Sequence, residues 1–340
     1  MEKNIDSIIN KYMDQGYFPS AVCKIFSHDK TYYSKAFGNV DMDTIFDVAS
    51  LTKIVTSTQV LMLVEEGLLD LNESLGIYLP IIDEFPVLKE RLKDITIEEL
   101  LTHNSGLIAW YPFYCHQGSV FEALNHALKD SEKVQGTLYS DLNYIILGEL
   151  VKAVTGLSLE EALEKYIRDR LNIKNIFFGP SDLENVAPTA YGNDHEVNMC
   201  KDLNIEYNNW RSSDKALKGQ VHDGNCHYYF GGVSGHAGIF AHVQAYVDLC
   251  RFYMTTTSDL LKSSMKEHRD GRGLGWQISE SYPNGCGHSG FTGPSIYIDK
   301  DSKIGAVTFT NRVHTRGQAK DLFEFRNELH SVINKGWDQF

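Results

Sequence analysis

The sequence has little proline and no paired cysteine motif. Only 8 of its 340 residues are proline, so no proline-rich linker divides the chain into separate halves. Its 6 cysteines are scattered without a Cys-x-x-Cys pair, and we expect them to be free thiols. No run of about 18 apolar residues occurs, so the sequence predicts no helix that spans a membrane.

Positive charge is also scarce. The chain has 32 basic and 45 acidic residues, which gives a net charge of −13. Such a surface repels nucleic-acid phosphates and anionic lipids, so we expect neither nucleic acid nor a membrane as a partner. The first residues contain no basic segment followed by an apolar run, so they predict no secretory signal and a cytoplasmic protein.

Strand patterns lie near both ends of the chain. Residues 21–27 and 31–37 predict two strands around a polar turn. Residues 274–278, 295–298 and 304–310 predict three more. The link between the last two is too short for a parallel crossover, so we expect that pair to be antiparallel.

The middle of the chain is helical in pattern, from residue 50 to about residue 175. Residues 180–230 are polar, and we expect them to be irregular. Capping boxes, in which a hydroxyl residue is followed three positions later by an acid, begin at Thr96, Ser119 and Ser158. Amphipathic helices are expected at the two chain ends as well.

This distribution predicts an α+β fold with two domains. An antiparallel sheet flanked by helices draws on both chain ends, with bounds at residues 1–55 and 215–340. A mostly helical domain, residues 56–214, is inserted between them.

Ser50 and Lys53 stand at the predicted start of a helix, with Asp47 as the expected N-cap. Residues three apart lie on one helix face, so the Lys53 amine should approach the Ser50 hydroxyl. The helix N-terminus supplies positive potential and free amides for a developing oxyanion. An amine whose pKa is lowered by its surroundings can take a proton from serine, so the pair is a candidate for nucleophilic catalysis.

The Ser-x-x-Lys spacing alone is weak evidence, because a capping serine beside a solvated lysine gives the same pattern. The spacing also occurs at Ser27/Lys30, Ser212/Lys215 and Ser263/Lys266. Only Ser50 combines a junction between strand and helix with an apolar setting and with later sequence blocks of matching character.

Five ordered blocks resemble the motifs of the serine β-lactamase and penicillin-binding protein family, and together they span nearly the whole chain. They correspond to the nucleophile motif, a helical block, the Tyr-x-Asn motif, a block of the class C-like esterases and peptidases, and the Lys/His-x-Gly motif. In the same order, they are FDVASLTK (residues 46–53), LLTHNSGL (100–107), GTLYSDLNY (136–144), residues 221–240, and GHSGFTG (287–293).

The resemblance implies the β-lactamase/transpeptidase-like fold and a serine hydrolase mechanism. Ser50 would be the nucleophile and form an acyl-enzyme, and Lys53 would take or relay its proton. Tyr139 would act with Lys53 as general base and then as acid to the leaving group. His288 would support this proton network from the edge of the sheet.

The resemblance also implies a substrate-binding set. The backbone N–H groups of Ser50 and Phe291 would form the oxyanion hole, with Gly290 of the third motif beside them. Arg312 follows the last predicted strand and is a candidate anchor for a substrate carboxylate, although a structural arginine is an equal alternative.

Two positions depart from the family pattern. Asp141 stands where the family has an asparagine that donates a hydrogen bond to the acyl amide of a β-lactam, and an ionised carboxylate cannot donate. It could bind Lys53 or a substrate amine instead. His288 stands where many β-lactamases have lysine, which weakens the expected hold on a β-lactam carboxylate.

A metal site is the alternative for a group of side chains in the fourth block. These are His222, Asp223, Cys226, His227, His236 and His242. Their spacing fits no zinc motif, so we expect a hydrogen-bonded network under the active site and no metal or organic cofactor.

The sequence therefore predicts a serine hydrolase that cleaves an ester or amide in a small molecule or peptide through a Ser50 acyl-enzyme. A small ester, a D-amino-acid peptide and a β-lactam are the candidate substrates. A true class C-type β-lactamase and a penicillin-binding or acyl-ligand-sensing module without turnover are the alternatives, and the oligomeric state stays open.

Overall fold

A five-stranded antiparallel sheet and a small three-stranded sheet organise the molecule. The computed structural model describes residues 2–179 and 184–336. The strands are β1 (Ala21–Phe26), β2 (Thr31–Phe37), β3 (Ile45–Asp47), β4 (Ile176–Phe178), β5 (Ile239–His242), β6 (Gly285–Ser289), β7 (Ser295–Asp299) and β8 (Ile304–Thr310).

The larger sheet joins the two ends of the chain. Its strand order is β2-β1-β8-β7-β6, so strands from the first 40 or so residues pair with strands from the last quarter. Ala21 lies opposite Thr310 in the antiparallel pair that joins them. The predicted antiparallel link between β7 and β8 is confirmed. The smaller sheet, in the order β3-β5-β4, was not predicted.

Helices cover both faces of the large sheet and form the middle of the chain. They are α1 (Glu2–Asp14), α2 (Thr52–Glu65), α3 (Leu75–Tyr78), α4 (Pro86–Leu92), α5 (Ile97–Leu101), α6 (Val120–Lys129), α7 (Asp141–Thr155), α8 (Leu159–Ala162), α9 (Asp194–Asp202), α10 (Val243–Thr255), α11 (Asp259–Ser264) and α12 (Phe323–Gly336). Short 3₁₀ turns lie at Ala49–Leu51, Pro80–Glu84 and Phe113–Cys115, and π-helical turns lie at Leu163–Asp169 and Asn225–Tyr229.

The predicted helix starts are confirmed at three places. The hydroxyl groups of Thr96, Ser119 and Ser158 each accept a hydrogen bond from the amide three residues later. The carboxylate of the acid at that later position accepts a hydrogen bond from the amide of the capping residue. Each box satisfies amide groups that a helix start otherwise leaves unpaired.

Two hydrophobic cores hold the large sheet between helices. On one face α1 and α12 pack through side chains that include Ile9, Phe325 and Leu329. On the other face α2, α7 and α10 bury a larger cluster. All 6 cysteines are free, and all but Cys115 are buried. The observed architecture is the predicted α+β fold, and the domain bounds stay a prediction.

Two expectations need correction. Residues 274–278 do not form a strand; Gln277 makes only isolated bridges, to Gly287 and Arg272. The cause is Gly275, whose φ of +91° turns the backbone out of the extended conformation. The polar stretch from residue 180 to 230 was expected to be irregular, yet it contains α9 and a π-helical turn, while residues 180–183 lie outside the described part.

Within the described residues, no single helix has the length and apolar character needed to cross a membrane. By length and composition alone, α7 and the segment Leu159–Asp169 meet that requirement only when they are taken together, and they are bent by 79°.

Candidate active site

Ser50 lies in a tight turn that joins β3 to α2. Asp47 accepts hydrogen bonds from the Ala49 amide at 2.9 Å and from the His222 amide at 2.7 Å. Ala49 has a φ of 46°, a left-handed conformation that costs free energy in a residue other than glycine. Val48, not Asp47, takes the N-cap position of the turn, so the expected cap is wrong, although Asp47 does hold the turn in place.

Lys53 is hydrogen-bonded directly to the Ser50 hydroxyl. Its Nζ donates to Ser50 Oγ at 2.9 Å, to Asp141 Oδ1 at 2.7 Å and to the His236 carbonyl at 3.3 Å. The side chain is 0% exposed. The predicted approach of amine and hydroxyl on one helix face is therefore present, and Asp141 binds the lysine as one of its two proposed roles.

The charge of Lys53 follows from these neighbours. Burial lowers the pKa of the ammonium, but the Asp141 carboxylate and the Tyr139 hydroxyl more than offset burial, so the net direction is upward. This is the opposite of the lowered pKa that was expected. Lys53 is therefore a hydrogen-bond donor and a positive charge beside Ser50 in the resting site.

Tyr139 enters the site from the loop before α7. The Lys53 ammonium lies 4.8 Å from the centre of its ring. His103, from the LLTHNSGL block, packs against Tyr139 with the ring centres 4.6 Å apart, and His103 Nδ1 accepts a hydrogen bond from the Ser140 amide at 3.1 Å. His103 thus positions the turn that carries Tyr139 and Asp141.

His288 lies on the edge strand β6, as the third motif predicts. Its ring centre is 6.0 Å from that of Tyr139, and its Nδ1 donates to the Ser289 carbonyl at 3.0 Å. Burial lowers the pKa of His288 well below its usual value, and the charges of Lys53 and Arg272 lower it further. His288 is therefore a neutral imidazole.

The predicted oxyanion hole brings β6 against the Ser50 turn. Within the described part of the chain, the amides of Ser50 and Phe291 donate no hydrogen bond, so both are free for a ligand. Gly290 is required here, because a Cβ at this position would lie 2.4 Å from the Val48 carbonyl oxygen. The glycine lets the third motif approach the nucleophile turn closely.

Arg312 holds Phe291 in place. Its Nε donates to the Phe291 carbonyl at 2.6 Å and its Nη1 to the Lys320 carbonyl at 2.8 Å. Its guanidinium carbon also lies 4.7 Å from the centre of the Phe291 ring. The structure thus gives Arg312 a structural role and places it at the edge of the cleft as well.

A cavity of about 280 Å³ opens beside Ser50 and contains two arginines that the sequence did not single out. Arg272 lies with its guanidinium carbon 5.3 Å from the centre of the Tyr139 ring, and Arg326 has a buried Nε without a hydrogen-bond partner in the described chain. The lining residues are Ser50, Tyr139, Arg272, Gln277, His288, Ser289, Gly290, Phe291, Arg312, Asp321 and Arg326. We call this the arginine cavity.

The sequence contains only weak indications that Arg272 and Arg326 belong to the site. Arg326 lies within the helical face formed by Leu322, Leu329 and Ile333, where an arginine is unusual. Arg272 lies between two glycines. Neither position matches a motif, so only the folded chain brings them together.

Two members of the candidate metal group, Asp223 and His236, are hydrogen-bonded to each other beside the site. His236 Nε2 donates to Asp223 Oδ1 at 3.0 Å, and the His236 Nδ1 lies 2.7 Å from Ser234 Oγ. Potential ligand atoms of Asp141, Asp223 and His236 lie within 4.8 Å of one another. The Lys53 ammonium already binds Asp141, so a positive charge occupies this position without a metal.

The site thus brings together a serine in a turn, a lysine on the following helix, a tyrosine and a histidine at the sheet edge, which is the arrangement that the sequence motifs predict. The family model described as Beta-lactamase matches residues 5–330. The chain therefore belongs to the beta-lactamase family.

Individual relatives agree with this membership. An N-acetylmuramyl-L-alanine amidase of Bacillus subtilis (strain 168) is 26% identical, over 92% of this chain and 81% of its own. A putative D-alanyl-D-alanine carboxypeptidase of Escherichia coli (strain K12) is 27% identical, over 98% and 88%. A beta-lactamase from Sulfitobacter sp. EE-36 has a TM-score of 0.74 and 15% identity, over 99% of this chain and 98% of its own, which shows the common fold alone.

Proposed function

We propose that this chain is an amide hydrolase that cleaves a small peptide-type substrate through a Ser50 acyl-enzyme and holds a carboxylate on the leaving group. The observation that carries the proposal is the arginine cavity beside Ser50. The names of the amidase and carboxypeptidase relatives support a substrate of this kind.

The side of the site that takes the leaving group follows from the motifs. The position of His288 corresponds to the family lysine that meets a β-lactam carboxylate, and His288 lines the arginine cavity. Because this histidine is neutral, Arg272 and Arg326 are left to provide the positive charge. Arginine binds a carboxylate with paired N–H groups, which suits this task.

The proton path starts from a charged Lys53. Ser50 Oγ can attack only after its proton passes to an acceptor in the Lys53–Tyr139 pair, so the active form of that pair has lost one proton. The amides of Ser50 and Phe291 stabilise the oxyanion, and Tyr139 returns a proton to the leaving amine. Water then releases the acyl group from Ser50.

The test compares acetyl-D-alanyl-D-alanine with its C-terminal carboxamide. We expect the free carboxylate to be preferred at least about tenfold in kcat/KM, because a hydrogen bond to a charged group contributes about 1.5–3 kcal/mol. Arg272→Gln and Arg326→Gln should reduce that preference mainly through KM. Arg168→Gln is the control, because Arg168 lies on the surface and pairs with Glu164.

Equal rates for the acid and the carboxamide would contradict the assignment of the arginine cavity. A chromogenic cephalosporin is measured in parallel. Faster turnover of the cephalosporin than of any peptide would favour the β-lactamase alternative, which the carboxylate at Asp141 argues against.

A further inference from the structure

A second cavity, of about 200 Å³, meets the arginine cavity at Ser50 and has the opposite electrostatic character. Three carboxyl groups line it, and no lysine or arginine is among its described lining residues. These are Ala49, Ser50, Ala109, Trp110, Tyr139, Asp141, His195, Glu196, Met199, His222, Asp223, Ala237 and Phe291. We call it the acidic cavity.

The acidic cavity lies on the acyl side of Ser50. Asp141, which occupies the position of the family asparagine that faces the acyl amide, lines this cavity and not the arginine cavity. A substrate that places its leaving group among the arginines therefore places its acyl group among the carboxyl groups.

Two of the three carboxyl groups are paired with a basic side chain of the protein. Asp141 accepts a hydrogen bond from Lys53 at 2.7 Å. Asp223 Oδ1 accepts from His236 at 3.0 Å and from the Cys226 amide at 2.7 Å. The third carboxyl group, that of Glu196, is different.

Glu196 is 5% exposed, and its Oε2 is buried without a hydrogen-bond partner in the described chain. Its Oε1 accepts from the Gly224 amide at 2.6 Å, and a Cβ at Gly224 would lie 2.2 Å from Oε2. The glycine therefore makes room for the carboxyl group. A buried acceptor without a donor costs free energy unless a ligand supplies the donor.

The neighbouring side chains of Glu196 donate no hydrogen bond to its Oε2 in the described chain. Arg211 donates hydrogen bonds to Asn193 Oδ1 and to the carbonyls of Val221 and His222, at 2.6–2.8 Å. A hydrogen-bond interaction with the Tyr114 hydroxyl lowers the pKa of Glu196, but that hydroxyl lies at hydrogen-bond distance from Cys200 Sγ, at 3.3 Å, and not from Glu196 Oε2.

We propose that the acidic cavity selects acyl groups that carry a hydrogen-bond donor, an ammonium or a hydroxyl group, and that Glu196 is the residue that accepts from it. This inference rests on the proposed hydrolysis at Ser50 and names the acyl half of the substrate. Glu196 acts as a specificity residue and takes no part in proton transfer.

The two kinds of donor differ in their dependence on pH. The pKa of Glu196 is raised to about 8, because burial and the Asp223 carboxylate raise it more than the Gly224 amide, Tyr114 and Arg211 lower it. A bound ammonium favours the ionised carboxylate and releases its proton, so its preference should strengthen as pH rises towards that value. A hydroxyl group binds without this change.

The experiment uses acyl groups of matched size on the chromogenic leaving group 5-amino-2-nitrobenzoate, which keeps a carboxylate for the arginine cavity. One series is propanoyl, lactyl and D-alanyl, and the other is butanoyl, 3-hydroxybutanoyl and 3-aminobutanoyl. We expect at least one donor-bearing group to exceed its apolar match about tenfold in kcat/KM. Which member is preferred distinguishes ammonium from hydroxyl.

Glu196→Gln tests the residue. The amide oxygen of the glutamine can keep the hydrogen bond from Gly224. Its NH2 group takes the place of Oε2 and cannot accept a hydrogen bond from the donor group of the substrate. The ratio of donor-bearing to apolar kcat/KM should fall at least about tenfold. Asp202→Asn removes the same charge from an exposed position of α9 and should leave the ratio unchanged.

Failure of the inference and failure of the proposed function give different results. If apolar and donor-bearing groups react equally through Ser50, or if Glu196→Gln leaves the ratio intact, the inference is wrong and the hydrolase survives. If no substrate turns over, calorimetry of Ser50→Ala with propanamide, lactamide and alaninamide still measures the donor preference. Equal affinities there would also overturn the inference.

Discussion

At the residue scale, the site depends on how Lys53 keeps its proton. The side chain is buried beside Ser50, and its ammonium is stabilised by a carboxylate at a position where the family motif has an amide. A buried charge with a hydrogen-bonded partner of opposite charge is tolerated, while one without a partner is costly. Asp141 therefore raises the pH at which Lys53 gives up its proton.

Asp141→Asn should lower the pKa of Lys53, because it removes the charge that holds the proton there. The acidic limb of kcat/KM should then move to lower pH by about one unit or more, and the relative rate at neutral pH should rise. A pH–rate profile with a peptide substrate measures the shift.

The control for this profile is Asp130→Asn, an exposed aspartate at the end of α6. It should leave the acidic limb in place. An acidic limb that moves to higher pH in Asp141→Asn would contradict the role given to the carboxylate.

Residues inside motifs were predictable, and isolated ones were not. The order of the blocks predicted that Ser50, Lys53 and Asp141 lie close together, because each motif has a fixed place in the fold. Glu196 and Arg272 belong to no motif. They line the cleft because of how α9 and a glycine-rich loop pack against it, and local sequence patterns do not encode that packing.

At the scale of elements, the site requires close contact between α7 and the loop that carries His236. A Cβ at Gly235 would lie 2.2 Å from the Tyr144 carbonyl, and Gly148 of α7 faces it. The same loop provides the carbonyl of His236 to Lys53 and that of Gly235 to Thr56 Oγ1, at 3.3 and 2.7 Å.

Gly235→Ala should destabilise the protein by about 1–3 kcal/mol, because the extra methyl group overpacks this contact. It should also lower kcat/KM, since the loop that contacts Lys53 must move. Urea unfolding and kinetics measure the two effects.

Gly231→Ala is the matched control, because a Cβ there meets no atom within 4 Å although its φ is 63°. Backbone strain alone should cost about 1–2 kcal/mol there, and the kinetics should stay unchanged. An equal loss of kcat/KM in the two variants would show that the close contact is not the cause.

The elements themselves were largely predictable where local chemistry determines them. Capping boxes marked three helix starts, and strand patterns near the two chain ends marked β1, β2, β7 and β8. The small sheet β3-β5-β4 was not predictable, because its strands are three or four residues long and far apart in sequence. Long-range pairing of such short segments leaves no periodic pattern.

At the scale of the whole molecule, buried imidazoles couple stability to pH. His103, His222, His288 and His330 are buried, and burial lowers the pKa of all four. When the pH falls below about 6.5, the ordinary pKa of histidine, these four imidazoles become protonated in the unfolded chain but stay neutral in the folded chain. Acid therefore favours unfolding.

The free energy of unfolding should rise between about pH 5 and about pH 6.5. Asp47 and Glu196 act in the opposite direction, because burial raises their pKa values to about 6 and about 8, but they are outnumbered by the imidazoles. Urea unfolding at several pH values measures the slope.

His330→Asn should reduce that slope by up to about 1.4 kcal/mol per pH unit. Asn can keep the donation that His330 Nδ1 makes to the Ser281 carbonyl at 2.7 Å, without a titrating group. His28→Asn, at an exposed position, should leave the slope unchanged. Stability that falls as pH rises over this range would contradict the account.

The central claim is that Ser50 forms the acyl-enzyme, and intact-mass measurement after reaction with a p-nitrophenyl phosphonate tests it most directly. The account predicts one adduct, mapped to the peptide that contains Ser50, together with loss of peptide turnover. Ser50→Ala should form no adduct and show no turnover. An adduct on another residue, or undiminished turnover by Ser50→Ala, would contradict the account.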